Sequence, residues 1–185
     1  MKILVTALAA AALALPAAAV EYGTLDPAKS SLAFTSKQMG VPVDGKFNKF
    51  KVALSFDPAA VQKASAGFEL EIASIDTGSK EANDEVVGKD WFNAKQFPTA
   101  VFKSTSVKAL GGNRFEVTGP LTIKGRTQNV TAPFTYKADG ANGVFEGAFT
   151  IKRLQFGIGE GPWGDTSTVA DDVQIKFRLV AAARK

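Results

Sequence analysis

Apolar side chains recur at every second position along most of this chain, and that period of two constrains the fold more than any motif. Phe50, Val52, Leu54 and Phe56 share one face of a run, and Phe68, Leu70 and Ile72 share the next, with Glu69 and Glu71 opposite. The last run is the cleanest: Val173, Ile175, Phe177 and Leu179 alternate with Gln174, Lys176 and Arg178. Leu32 with Phe34, and the stretches 101–107, 115–123, 130–136 and 144–151, repeat the pattern. Successive side chains of an extended strand point to opposite faces, so each run reads as a strand with one buried face. Between runs stand Gly111-Gly112-Asn113, Lys124-Gly125 and the segment from Asp139 to Gly143. These residue types enter positive φ and turn hairpins. Lys80 to Asp90 is polar and lacks alternation, which predicts a helical turn or two before Trp91-Phe92.

Many short strands joined by hairpin turns favour an antiparallel meander over parallel crossover units. Such a sheet must pack on a second sheet or close on itself, and closure removes exposed edges. The fold expected is all-β: a closed antiparallel barrel of about eight strands with one or two short helical segments. A barrel of that size has room for side chains or for one narrow ligand. The chain holds 14 Phe but only 2 Trp and 2 Tyr, and Phe supplies a flat apolar lining. The same positions serve a solid core and a ligand tunnel, and the alternation does not say which face of each run points inward.

The chain has no Cys and no His. That removes disulfides, thiol nucleophiles, Ser-His-Asp triads, zinc sites of the His/Cys type and histidine ligands for haem. Any catalysis would have to run on carboxylates, Lys, Arg or Tyr. Residues 1–19 read as a cleaved signal peptide: Lys2, then an uncharged run from Ile3 to Leu15, Pro16, and the small residues Ala17-Ala18-Ala19. The apolar run is too short to span a bilayer. Residues 20–185 are then a single exported domain, and the style of the leader points to the periplasm. The net charge of +4 is scattered, without the basic stripe and interleaved aromatics that nucleic acid needs.

Several smaller motifs carry little. Gly157-Ile158-Gly159-Glu160-Gly161 lacks the spacing of a nucleotide-binding loop and reads as a flexible connection between the last two strands. Asp171-Asp172 point to opposite faces of a strand, a poor geometry for an acid–base pair, and Asp84-Glu85 give no metal pattern. Asn129-Val130-Thr131 fits a glycosylation acceptor but falls inside a predicted strand.

Four segments together are more specific. They are Leu25 to Phe34 (LDPAKSSLAF), Asp90 to Ser104 (DWFNAKQFPTAVFKS), Val117 to Thr127 (VTGPLTIKGRT), and Arg153 to Gly157 (RLQFG) with the strand 169–179 after it. In this order they resemble the YceI-like family of bacterial periplasmic proteins across essentially the whole of residues 20–185. The resemblance implies a lipocalin-like barrel enclosing a polyisoprenoid, a quinone-type lipid or a related amphiphile, with no catalytic residues to carry over. Gly161-Pro-Trp-Gly-Asp-Thr166 resembles a branch associated with b-type cytochromes, which makes a membrane b-type cytochrome a candidate partner. Members often carry His in the opening segment, where this chain has Lys29 and Gln38. No cofactor is implied, and both a monomer and a homodimer fit the pattern.

On this reading the lipid-lining candidates are Phe34, Phe56, Phe68, Leu70, Phe102, Leu121, Phe134, Phe149 and Phe177. Arg153 and Trp163 are candidates for the mouth: Arg153 would pair with a polar head or form a surface salt bridge, and Trp163 would act as a lid or pack its loop. The expected function is a non-enzymatic carrier of a long apolar lipid. The competing one is an interaction protein whose barrel is solid.

Overall fold

In the computed structural model, which describes residues 20–184, the alternating runs become the wall of a barrel. The segment read as a leader, 1–19, lies outside the described residues. In chain order the elements are β1 (Tyr22–Leu25), β2 (Ser31–Gln38), β3 (Val41–Phe47), β4 (Phe50–Ser55), β5 (Ser65–Glu71), β6 (Ile75–Asp76), α1 (Lys80–Val86), β7 (Thr99–Lys103), β8 (Ser106–Gly111), β9 (Arg114–Ile123), β10 (Arg126–Asp139), β11 (Asn142–Lys152) and β12 (Asp172–Ala183). Every pairing between them is antiparallel.

With β1 set aside, the other eleven strands form eight ribbons, because three pairs are single strands with a bend. Phe47 lies opposite Ile75 and Phe50 opposite Leu70, so β3–β4 and β5–β6 form one long hairpin kinked in the middle. Ser74 holds the kink: its hydroxyl accepts from Lys49 N–H at 3.0 Å and donates to the Glu71 carbonyl at 2.7 Å. β7 and β8 likewise lie end to end along β9. The ring then runs β2, β3–β4, β5–β6, β7–β8, β9, β10, β11, β12 and back to β2. The expected closed barrel of about eight strands is what forms. The predicted helical stretch is α1, capped by the Ser79 side chain.

β1 closes one end. It pairs with β12 and reaches across to β4, where Tyr22 N–H donates to the Phe56 carbonyl at 2.8 Å and Phe56 N–H returns the bond at 3.1 Å. The hairpin turns 111–113 and 139–142 cluster at this end. The turn between β2 and β3, the turn between β9 and β10, α1 and the long connection 153–171 gather at the other. Outward faces carry cross-strand ion pairs such as Lys51–Glu69 and Glu146–Arg178. Exposed pairs of this kind contribute little individually, so the fold rests on what faces inward.

Candidate functional site

The inward face of every ribbon is apolar, but it is not uniformly filled. At the closed end Phe56 is a hub, with the rings of Tyr136 and Phe145 at 5.1 Å, Phe115 at 5.3 Å and Phe134 at 6.1 Å. These edge-to-face and tilted contacts are the favoured aromatic geometries. The Tyr136 hydroxyl donates to the Tyr22 hydroxyl at 2.9 Å, which satisfies the polar tip of this cluster. Burial, reinforced by that bond, raises the Tyr136 pKa far above its ordinary value.

Beyond this plug lies a cavity of about 430 Å³, within the usual range of small-molecule sites. Phe34, Phe68, Leu70, Phe102, Leu121, Phe149 and Phe177 all stand on its wall. Most of these rings are only half-buried although they point into the barrel, because they face open space rather than neighbours. Phe34 sits directly opposite Gly45 and Phe177 opposite Gly147. A β-carbon at those glycines would come within 2.2 Å of the Phe34 ring and 2.4 Å of the Phe177 ring. Each ring therefore lies flat over a glycine, which keeps it against the wall and out of the lumen.

Phe56 and Phe134 are corrected by the structure. They share the parity of the wall residues but sit in the plug, at 2% and 9% exposure, outside the cavity lining. Alternation fixes the face of a strand that points inward, and depth along the barrel axis then decides between packing and lining. Sequence reasoning also missed wall residues. Leu32, Val130 and Ile175 lie on the inward face by the same parity as the residues it selected. Trp91 and Phe92 come from the non-alternating stretch after α1, where period two gives no signal.

The open end is organised by Arg153, which is 1% exposed. The end of β11 gives way to a tight turn over Arg153–Phe156, closed by Gly157 at φ +67. The guanidinium then reaches the backbone of the whole connection. Nε donates to Ala170 O (3.1 Å), Nη1 to Ile158 O and Gly159 O (2.8 and 2.7 Å), and Nη2 to Trp163 O and Val169 O (2.7 and 2.8 Å). An arginine has five N–H donors, and all are engaged. Arg153 is therefore neither a surface ion pair nor a free cation for a head group. Burial pulls its pKa down, opposed by the charge of Asp171, and the Trp91 ring lies 5.8 Å beneath it.

The glycine-rich segment around Gly157–Gly161 is accordingly strapped rather than loose. Glu160 binds Lys124 at 3.2 Å and Arg126 at 2.7 Å, and its N–H donates to Asp90 O at 2.8 Å. Lys124 chiefly, with Arg126 helping, holds the Glu160 pKa below its ordinary value. Trp163 does stand over the cavity: its indole N–H donates to Glu85 of α1 at 3.1 Å and its ring lies 5.4 Å from that of Trp91. The carboxylate pairs have structural partners. Asp171 accepts from Leu154 N–H and Asp172 pairs with Lys152. The exposed members of the wall are Gln38 on β2 and Glu85 on α1, so the mouth opens between that hairpin and the helix.

The polar side chains on this wall are few: Ser36, Gln38, Thr77, Glu85 and Arg153. The site can hold an elongated apolar body and touch polar groups near its mouth.

A family model of the YceI-like domain matches residues 24–181. The UPF0312 protein of Pseudomonas syringae pv. syringae is 31% identical over 144 residues, covering 75% of this chain and 73% of that protein. Among solved structures, BcnA of Burkholderia cenocepacia is 50% identical, with a TM-score of 0.84 over 85% of this chain and 99% of that one. A polyisoprenoid binding domain from Saccharophagus degradans, implicated in plant cell wall breakdown, is 16% identical with a TM-score of 0.68 over 89% of this chain and 99% of that one. At that identity the likeness is one of fold.

Proposed function

This chain belongs to the YceI-like domain family, and on that premise we propose that it is an exported binding protein which holds a long apolar lipid inside its barrel. The observation that carries this reading is the lumen, a cavity of about 430 Å³ walled by half-buried Phe side chains. A barrel that served only as scaffold would close-pack its interior. The name of the Saccharophagus degradans neighbour, a polyisoprenoid binding domain, points the same way, and a quinone-type lipid is a cargo of the same apolar kind.

The physics suits a carrier. An apolar chain gains ~0.8 kcal/mol per CH₂ group on leaving water, but its natural alternative is a bilayer, where that gain is already present. Exchange between two apolar phases is nearly neutral, so loading and release are both accessible. Selectivity then falls to the shape of the lumen and to the few polar groups at its mouth. The wall offers no nucleophile with an adjacent base among the described residues, which favours binding over turnover. The leader-like segment 1–19 supports a periplasmic setting, and the 161–166 segment supports a membrane b-type cytochrome as a partner.

The test is organic extraction of freshly isolated protein followed by mass spectrometry. A stoichiometric apolar lipid is expected, and Leu121→Trp, which places an indole in the lumen, should lower its recovery while the protein stays folded. Protein that carries no lipid and takes up no polyprenyl or quinone probe would overturn the reading.

A further inference from the structure

We infer that the turn between β2 and β3 is a docking tip that inserts into a lipid bilayer beside the mouth of the lumen. The inference rests on the lipid-binding reading and adds the surface from which cargo is taken. Met39 and Val41 are the two most exposed large apolar side chains among the described residues, at 73% and 63%. They stand next to each other on one turn, and Pro42 beside them is exposed as well.

The backbone makes this placement firm. Met39 adopts φ +49 and Gly40 φ +80, and a non-glycine residue in that region is uncommon unless it is Asn or Asp. Met39 N–H donates to Thr168 O at 2.8 Å, and Gln38 bridges to Val169, so the tip is tied to the connection that Arg153 organises. Positive φ at both central residues belongs to a tight two-residue hairpin of this kind, so the turn itself does not call for a methionine, and the flexible thioether is left out in water.

Position and charge identify the occupant. The hairpin that carries the tip also supplies Gln38, one of the two exposed residues of the cavity wall. The tip therefore stands beside the mouth of the lumen, on the hairpin whose Phe34 and Val43 line the cavity. Residues 36–43 contain one charged side chain, Lys37, and it has no carboxylate partner among the described residues. An apolar pair flanked by a single free ammonium matches the acyl-to-phosphate boundary of a membrane, where apolar side chains bury and Lys meets the head groups.

The experiment compares wild type with the double variant Met39→Asn and Val41→Thr on vesicles of phosphatidylethanolamine and phosphatidylglycerol. Asn accepts the positive φ and Thr keeps the branched shape of Val, so the barrel should be undisturbed. Removing the exposed apolar surface should weaken vesicle co-sedimentation by roughly tenfold or more. In a second variant, Met39→Trp, the new indole should be quenched by brominated acyl chains, and vesicle binding should tighten. Equal co-sedimentation of wild type and the double variant, or an introduced indole that brominated chains leave unquenched, overturns the proposal. A concentration-dependent dimer that the double variant abolishes would assign the tip to a second copy and overturn it too. Uptake of a polyprenyl probe from detergent is measured in parallel: loss there strikes the lipid-binding reading, whereas co-sedimentation alone decides the tip.

Discussion

Phe149→Ala and Phe134→Ala remove the same ring at two depths of one barrel, and the structure assigns them different costs. Phe134 is 9% exposed, with the rings of Phe115, Phe56 and Phe145 at 5.4, 6.1 and 6.3 Å. Truncation there opens a new hole in close-packed surroundings, which costs about 3–5 kcal/mol. Phe149 is half-buried and on the cavity wall. One face of its ring already lacks partner atoms, and the space it vacates merges with a void that exists in any case. The cavity contribution largely disappears and the transfer contribution is reduced, leaving about 1–2 kcal/mol. In a domain of this size 1 kcal/mol moves Tm by about 2–4 °C, so the variants should melt roughly 5 °C or more apart. The assay is urea unfolding of lipid-stripped protein followed by circular dichroism, with a thermal melt of the same samples. Stripping matters because a ligand bound only to the folded state adds its own stabilisation. With lipid restored, Phe149→Ala should lose affinity and Phe134→Ala should keep it. Equal destabilisation in the stripped state, within about 0.5 kcal/mol, would show that the lumen is packed and the reasoning wrong.

Other outcomes follow from the ends of the barrel. Arg153→Met strands five backbone carbonyls, and a buried acceptor left unpaired costs about 1–3 kcal/mol, so the loss should be several kcal/mol in all. Amide exchange over 158–170 should rise sharply, and Arg153→Lys should not rescue it, because an ammonium cannot fork to both sides. Glu160 is held below its ordinary value of 4.5 by Lys124 and Arg126, so its contribution is present above that pH and is lost as the pH falls from there through the lowered pKa. The stability difference between wild type and Glu160→Gln should therefore shrink between neutral pH and acid; it should be modest, since the carboxylate is 44% exposed. Tyr136 is shifted the other way, so its contribution holds below its ordinary value of 10 and fades as the pH rises past it. Absorbance at the phenolate band should show a tyrosine that stays protonated beyond that pH until the protein unfolds.

Much of the wall was legible because period two survives every local accident. Val173 to Leu179 alternates without error, and its four apolar residues all line the cavity. The strand count was legible only as ribbons, since the kinks at 48–49 and 72–74 come from a tight turn over Ile72–Ser74 whose hydrogen bonds depend on Ser74, a residue with no distinctive local pattern. Depth was not legible at all: Phe56 and Phe134 obey the same alternation as Phe68 and Phe149, and only closure by β1 decides which pairs are plug and which are lining. Arg153 was recognisable as unusual but not in its role. Five acceptors drawn from a connection that reaches 17 residues along the chain are a property of the folded loop, and no spacing in the sequence announces them.

An apolar void is not a natural resting state for a protein interior, because the atoms around it lack partners that collapse would supply. Here the void persists because its boundary cannot move inward. The ring of paired ribbons fixes the circumference, the aromatic cluster around Phe56 wedges one end, and the Arg153-centred connection braces the other. Gly45 and Gly147 let Phe34 and Phe177 lie flat instead of reaching across. Stability is thus concentrated at the two ends while the middle is left short of contacts. A molecule that enters restores those contacts without requiring the wall to reorganise, so such a lumen will favour any apolar chain that fits its width over a filled core of its own.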